Sequence, residues 1–382
     1  ELKKKELLEK VGGEAYLIRL TEEVSTSAHI DYHTKLLNNK ATLRKLISVS
    51  GDITTKCFDS DAEFNSVIDF AESKIFDIAE NNIRGTPDPI NEILAGVFDE
   101  INSFAQNQGP RGLQSGFSGL DTMTNGFHGG ELIITAARPG RGKTAFALSM
   151  LMNISVRAEE RTPSILFSLE MSKSQLIQRM LCSEARIDMK RLRSGKISKR
   201  DMELLIHVAQ PLYDAPVYVD DTTSMNPIEI MAKCRRIKKQ KDLGLVIVDY
   251  LQLMSGAGRY ESRQLEIASI SRSLKGLSKE LNVPVIALSQ LSRDVEKRGK
   301  DTRPQLSDLR ESGAIEQDAD LVMFIHRPET HNEETSVGDN VAEIIVGKQR
   351  NGPVGSVRVS FVKEYAAFEN LDEIHSGEEE EF

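Results

Sequence analysis

Cysteine is scarce in this chain: Cys57, Cys182 and Cys234 are the only three in 382 residues. Their spacing matches neither a metal motif nor an even disulfide framework, so neither staples the fold. A reducing cytoplasm is expected, with the three thiols as ordinary packing residues. Also absent is any run approaching the ~20 apolar residues that a membrane-spanning helix needs; the longest apolar stretches have strand length. No membrane partner is expected. No charged-then-apolar leader is present, and the chain starts at Glu1 without a methionine, a start that reads as trimmed, with elements upstream left out. Positive charge is in deficit, with 49 Lys and Arg against 58 Asp and Glu and a net charge of −9. That excludes a broadly basic nucleic-acid coat and leaves room only for contacts focused on particular loops. What is present, 39% hydrophobic and 28% charged residues, is the balance of a globular protein long enough for two domains.

Residues 1–84 read as a helical N-terminal domain. Within it Ser60-Asp61-Ala62-Glu63 has the capping-box form, followed by Phe64, Val67, Ile68, Ala71, Ile75 and Ile78 at helical spacing. Residues 85–112 read as a linker with an amphipathic helix of its own. Asp88 suits the N-cap and Pro89 the first helical position; Ile90, Ile93, Leu94, Val97, Phe98, Ile101 and Phe104 then form one apolar stripe. Breaker-rich segments flank it, so the stripe must dock either on its own chain or on a neighbouring subunit.

From residue 113 to 372 strands alternate with helices, the signature of an α/β fold with a parallel-rich sheet. Strands are expected at Glu131–Ala136, Ser164–Leu169, Leu243–Val248, Val283–Leu288 and Leu321–His326. Two more, Ala342–Lys348 and Ser356–Val362, are joined through Asn351-Gly352, a hairpin signal. The tail from 373 to 382 ends in an acidic run and is expected to be solvated.

In such sheets ligands bind beyond the carboxyl ends of the strands. The first strand leads into "ARPGRGKT", residues 137–144, which nearly spells the phosphate loop G-x-x-x-x-G-K-[ST] but has Ala137 for its first glycine. Gly140 and Gly142 turn backbone N–H groups toward phosphates, and a helix start beginning near Thr144 and Ala145 adds its positive dipole end. Arg138, Pro139 and Arg141 complete the loop, while Lys143 neutralises the β- and γ-phosphates and the Thr144 hydroxyl binds Mg²⁺. The next strands deliver Glu170, Asp249, then Ser289 and Gln290. Asp249 is placed to hold the metal shell, Glu170 to take a proton from the attacking water, and Gln290 to sense the γ-phosphate. Each residue alone has a bland reading, a solvated side chain or a helix cap; together at corresponding strand ends they point to an NTP site.

These segments carry a family resemblance. "GFSGLDTMTNGFHGGELIITAARPGRGKTAF", "SILFSLEMS", "LVIVDYLQLM", "VPVIALSQLSR", "LSDLRESGAIEQDAD" and "IIVGKQRNGPVG" resemble, in order and spacing, the motifs of DnaB-type replicative DNA helicases. "VGGEAYLIRL" is similar to the later helices of that family's N-terminal domain, whose first part is expected to lie upstream of this sequence. The resemblance implies a RecA-like P-loop NTPase motor, a homohexameric ring around single-stranded DNA, 5′-to-3′ movement driven by ATP or another NTP with Mg²⁺, and primase and a helicase loader as partners. Lys143 and Thr144 match the family's phosphate-loop lysine and metal-binding hydroxyl, Glu170 its catalytic base, Asp249 its Walker B aspartate and Gln290 its γ-phosphate sensor. Lys348 and Arg350 match the pair that reaches a neighbour's site. Arg310, Glu311 and Gly313, in "RESG", match the central-channel loop, so positive charge is needed only on inner loops. Arg259 and Arg263 are further DNA-binding candidates, with a solvated loop as the alternative; the basic run 233–241 reads as a solvated helix face. Arg141 departs from the small or apolar residue expected there. Two other classes share some of these features: a RecA-class recombination or repair ATPase, and a binding module with an inactive site.

Overall fold

The computed structural model describes residues 30–59, pieces of 66–98, 112–292 without 257 and 259, 303–327 and 340–371, the side chains of 30–35, 38 and 310–312 excepted. The Ser60–Glu63 capping box, Phe64, Ile78, the Asp88–Pro89 helix start, Ile93, Ile101, Phe104, "VGGEAYLIRL", Arg259, the acidic tail and the side chains of Arg310 and Glu311 lie outside the described residues.

The chain divides into two compact units, 1–106 and 107–382. In the first, helix α1 runs from Ile30 to Cys57, and the described pieces of 66–75 and 90–98 are helical too. Cys57, the last residue of α1, is exposed, as most of that polar helix is; the expectation of three packed thiols holds only for Cys182 and Cys234, both buried and both free. Burial pushes the Cys234 thiol up to about 12, so it packs as a small apolar group.

The second unit is built on one nine-stranded sheet. A short α2 (Ser118–Thr124) precedes β1 (Leu132–Ala137), and the phosphate-loop segment then leads into α3 (Lys143–Met152). The chain continues through β2 (Ser164–Ser168), α4 (Lys173–Ala185), α5 (Met189–Arg193), α6 (Lys199–Tyr213), β3 (Val217–Asp220), α7 (Pro227–Lys241), β4 (Leu245–Asp249), α8 (Arg263–Leu281) and β5 (Val285–Gln290). A 3₁₀ turn at Leu306–Ser312 and α9 (Gly313–Asp318) precede β6 (Leu321–His326), β7 (Val341–Gln349), β8 (Gly355–Val362) and β9 (Ala367–Asn370). Strand order is β3-β2-β4-β5-β1-β6-β7-β8-β9, parallel through β6 and antiparallel thereafter.

The sequence pattern explains the layout. β1, β2, β4 and β6 are near-continuous apolar runs because helices cover both faces of a parallel sheet, and these strands are buried along nearly their whole length. β7 instead alternates buried and half-buried residues, as an antiparallel strand with one covered face should. Strands expected from 131, 243 and 283 begin one or two residues later and run on to Ala137, Asp249 and Gln290, so these residues belong to the strands themselves. The hairpin at Asn351-Gly352 forms, but Gly352 does not take the left-handed φ of a two-residue turn; the reversal is spread over residues 350–354. Two strands escape the sequence reading. β3 and β9 are four residues long and lie at the two sheet edges, too short to show a period.

An aromatic column stands behind the phosphate loop. Phe146 of α3 stacks on Phe117 at 5.0 Å and meets Phe368 of β9 edge-on at 5.2 Å, and Phe368 contacts Phe361 of β8 at 4.7 Å. The antiparallel extension therefore packs against the first helix after the loop and fixes where that helix begins.

Candidate active site

β2, β4, β5 and β1 are adjacent in the sheet, and their carboxyl ends open into one cleft of ≈ 380 Å³. The missing first glycine proves to be a strand position: Ala137 pairs with Gln290 in the β1–β5 ladder and is 1% exposed. It is not among the residues with positive φ, so a methyl group is tolerated there. The conformational demand falls on Gly140 (φ 74) and Gly142 (φ 99). A Cβ on Gly142 would also lie 2.9 Å from the Phe368 ring. Gly142 caps α3 with no side-chain cap, so the first N–H groups of that helix, which begins at Lys143 and not at Thr144, point at the cleft.

Under the loop lies Asp249, 1% exposed. Its Oδ2 accepts from the Thr144 hydroxyl at 2.6 Å, and Lys143 Nζ stands 3.7 Å from its Oδ1. The same ammonium lies 3.7 Å from the centroid of the Tyr250 ring. Burial pushes Lys143 below the usual lysine range, opposed by Asp249 and Glu170. Tyr250 is pushed up, by burial first and then by the same two carboxylates. Asp249 Oδ1 is buried without a hydrogen-bond partner. A hydroxyl and a carboxylate side by side, with an unsatisfied buried oxygen, fit Mg²⁺, which is held by one or two protein groups plus substrate phosphates and water. Among the described residues there is no cluster of three or more His, Cys, Asp or Glu side chains for an all-protein metal cage.

Glu170, just past β2, and Gln290, at the end of β5, line the cleft with Arg138, Pro139, Gly140, Gly142, Lys143, Thr144 and Ala145. Arg138 is anchored through a 3.0 Å bond to the Leu291 carbonyl. Arg141 is the exception: its guanidinium donates to the Arg327 carbonyl at 3.1 Å, and the residue does not line the cleft. The Arg141 guanidinium is thus held on the Arg327 carbonyl, between two glycines of positive φ. The Gln290 N–H donates to Gln252 Oε1 at 3.2 Å, and Gln252 Nε2 donates to the Ser289 hydroxyl at 2.9 Å. Unforeseen in the sequence are Arg179 of α4, Arg193 of α5 and Lys363 after β8, which also line the cleft. Burial, then Arg193, lowers Arg179, while Asp249 and Glu170 oppose the shift. Cations so outnumber carboxylates around the opening, which suits a polyphosphate.

The other expected residues are not at this cleft. Lys348 donates to the Glu316 and Ala319 carbonyls at 2.5 and 2.9 Å, and Arg350 to the Gln317 carbonyl at 3.0 Å. Gln349 pairs with Leu321 at the amino end of β6, so both cations stand at the sheet edge opposite the phosphate loop. Gly313 begins α9 on an exposed turn, where an added Cβ would meet nothing within 4 Å. Arg263 is tied to its own chain, donating to the Gln252 and Met254 carbonyls at 2.7 and 3.1 Å and pairing with Glu266. It braces the segment after β4 more than it offers charge to solvent. Half of the six cations in the basic run of α7 are paired in place, Lys233 with Asp220, Arg235 with Glu280 and Lys238 with Asp242.

Residues 112–370 match the family model of the DnaB-like helicase C-terminal domain. The replicative DNA helicase DnaB of Geobacillus stearothermophilus is 45% identical over 374 residues, 97% of this chain and 82% of that one. The chain belongs to the DnaB-like replicative DNA helicases. The replicative DNA helicase DnaC of Bacillus subtilis strain 168 is 44% identical over the same shares of each chain. A solved DnaB-like replicative helicase, described with its interactions with primase, is 35% identical with a TM-score of 0.76, covering 96% of this chain and 85% of that one. The chain is thus an ATP-dependent DNA helicase with a RecA-like motor, and the family assignment disfavours a recombination ATPase or an inactive binding module. No described helix of the helicase is long and apolar enough to cross a membrane.

Proposed function

We propose that this helicase works as a homohexameric ring in the cytoplasm, moving 5′ to 3′ on single-stranded DNA at the replication fork, with ATP as fuel, Mg²⁺ as metal, and primase and a helicase loader as partners. Residues 1–84 serve as the helical N-terminal domain, 85–112 as the linker, 113–372 as the motor and 373–382 as an acidic tail. The observation that carries the reading is the split between two sheet edges. One edge gathers the phosphate loop, Lys143, Glu170, Asp249 and Gln290 into a cleft. The other holds Lys348 and Arg350 a full strand length away, ~20 Å at 3.3 Å per residue. An arginine side chain does not span that distance, so Arg350 acts on a nucleotide only if the nucleotide belongs to another copy.

The chemistry follows from the residues in place. The Gly140–Gly142 turn and the start of α3 present N–H groups to the phosphates, and Lys143 neutralises their charge. Thr144 and Asp249 would hold Mg²⁺, which would supply positive charge to neutralise the phosphates. Glu170 orients a water and takes its proton as that water attacks the γ-phosphorus. Gln290 bonds the γ-phosphate, and through Gln252 its loss reaches the segment braced by Arg263. In the neighbour's cleft, Arg350 and Lys348 stabilise charge in the transition state. Arg310 and the Gly313 N–H contact DNA phosphates, with Glu311 beside them and Arg259 on a second loop.

Forked substrates with a single 5′ or 3′ tail test the reading. Unwinding should need the 5′ tail on the encircled strand; equal unwinding from either tail, or from the 3′ tail alone, contradicts it.

Ring assembly gives a second test. Ile90, Leu94, Val97 and Phe98 lie in the described helical pieces of the linker and are 74, 43, 39 and 59% exposed. If this stripe docks on a neighbour, Leu94→Asp with Phe98→Asp should dissociate the ring while the melt of the motor is unchanged. Light scattering beside a thermal melt reads both; a lowered melt with intact rings would place the stripe on its own chain.

A further inference from the structure

One short stretch, Glu316–Asp320, holds both cations of the far sheet edge. The carbonyls of Glu316 and Gln317 at the end of α9, and of Ala319 just after it, accept from Lys348 and Arg350. Asp320 completes the hold and has the most partners of the group. Its backbone joins the sheet on both sides: its N–H donates to the Leu132 carbonyl at 2.9 Å, and its carbonyl accepts from the Arg350 N–H at 2.9 Å. Its carboxylate, 9% exposed, accepts from the Leu132 N–H at 2.8 Å and from Lys275 of α8 at 2.5 Å. The other oxygen, Oδ1, lies 3.4 Å from Arg350 Nη1. The first residue of β1, Leu132, is therefore bonded to Asp320 and the strand ends at the phosphate loop, while Arg350 is fixed by backbone and side chain to the same aspartate.

A guanidinium has five N–H donors in a rigid fork, so it can keep contacts to Asp320 and Gln317 and still present others outward. Its aim is set by what holds its inner side. Lys348 is less sharply aimed, since an ammonium donates in any direction, and burial and the neighbouring Arg350 push it below the usual lysine range.

We propose that Asp320 is a positioning residue for ATP hydrolysis, aiming Arg350 at the neighbouring subunit's nucleotide. This rests on the reading of Arg350 as a cation supplied in trans. A purely structural Asp320 would anchor β1 and α8 alone, and its loss would lower the melt without a selective effect on turnover. A positioning Asp320 acts through Arg350, so the two losses should not multiply.

The test is a cycle on the full chain assembled on single-stranded DNA: parent, Asp320→Asn, Arg350→Ala and the double variant. Asparagine keeps an acceptor for the Leu132 N–H but removes the charge facing Arg350. Asp320→Asn is expected to bind nucleotide as the parent does and to lose ~3–100-fold in kcat, the range of coupling between residues in contact. In the Arg350→Ala background the same change should cost less than about 2-fold, since the interaction is already gone. Lys275→Met, which removes the other ion-pair partner of Asp320, should lower the melt but keep kcat within about 2-fold. Asp320→Glu, with its charge one methylene further out, runs the same cycle if the asparagine variant melts too low to assay. If Arg350→Ala alone hydrolyses at the parent rate, the trans reading fails and this proposal with it. If Arg350→Ala is slow but Asp320→Asn is as fast as the parent, or slows both backgrounds by the same factor, the positioning role fails while the reading of Arg350 stands.

Discussion

Arg350→Ala should leave nucleotide affinity near that of the parent and slow hydrolysis by ~10³-fold or more, the effect of removing an arginine supplied in trans. Affinity should hold because the variant's own cleft is untouched: Gly140, Gly142, Lys143, Thr144, Glu170, Asp249 and Gln290 all come from the opposite sheet edge. The loss should fall on kcat, since the missing guanidinium meets charge that develops only in the transition state. Folding should change little. Arg350 is half-exposed and its ion pair with Asp320 is one of three contacts that this carboxylate makes. Equilibrium binding of a fluorescent nucleotide beside steady-state ATPase on single-stranded DNA checks both halves. Weakened binding in step with weakened turnover would mean that Arg350 contributes to assembly or packing and not to the transition state.

Glu170→Gln is the second large effect. The amide keeps the size and the hydrogen-bonding reach of the carboxylate and removes only its ability to accept a proton. Turnover should fall by ~10²–10⁴, the usual contribution of a general base, with nucleotide affinity unchanged. The surroundings of Glu170 support the assignment. It stands just past β2, lines the cleft beside Lys143 and Thr144, and its charge is felt by Lys143, Arg179 and Tyr250. Rapid-quench single-turnover hydrolysis separates the chemical step from product release; wild-type single-turnover rates in Glu170→Gln would remove Glu170 from the base role.

The sequence carried the sheet and the cleft because both depend on local signals. Buried parallel strands are written as unbroken apolar runs, and the residue ending each run marks the ligand edge. Lys143, Thr144, Glu170, Asp249 and Gln290 were legible on those grounds alone, and the structure brings four of them to one opening with Asp249 buried against Lys143 and Thr144. What was not legible depends on tertiary placement. β3 and β9 are four-residue edges without a period, and β9 matters because its Phe368 backs Gly142. Arg179, Arg193 and Lys363 reach the cleft from helices and a turn whose sequences resemble any solvated surface. Ala137 looked like a lost glycine because the motif does not say where the strand ends; one further residue of strand makes alanine acceptable. Arg141 and Arg263 read from the sequence as free loop charges, and the structure adds what the sequence could not show, that each donates to backbone carbonyls of its own chain. The placement of Arg350 was not legible, because it depends on the antiparallel register of β7 that sends the end of that strand to the far side of the sheet.

The central claim is that each nucleotide is hydrolysed between two subunits, with Glu170 from one and Arg350 from the next. Mixing Arg350→Ala subunits with Glu170→Gln subunits tests it most directly. Neither parent ring contains an interface with both groups, so both should be nearly inactive. In mixed rings some interfaces place an Arg350→Ala subunit, with its own Glu170 intact, against a Glu170→Gln subunit that still carries Arg350. Under conditions that allow subunit exchange, followed by fluorescence transfer between labelled subunits, ATPase activity should return on mixing. Demonstrated exchange with no return of activity would contradict the account, since Arg350 would then be acting within its own subunit or only in packing.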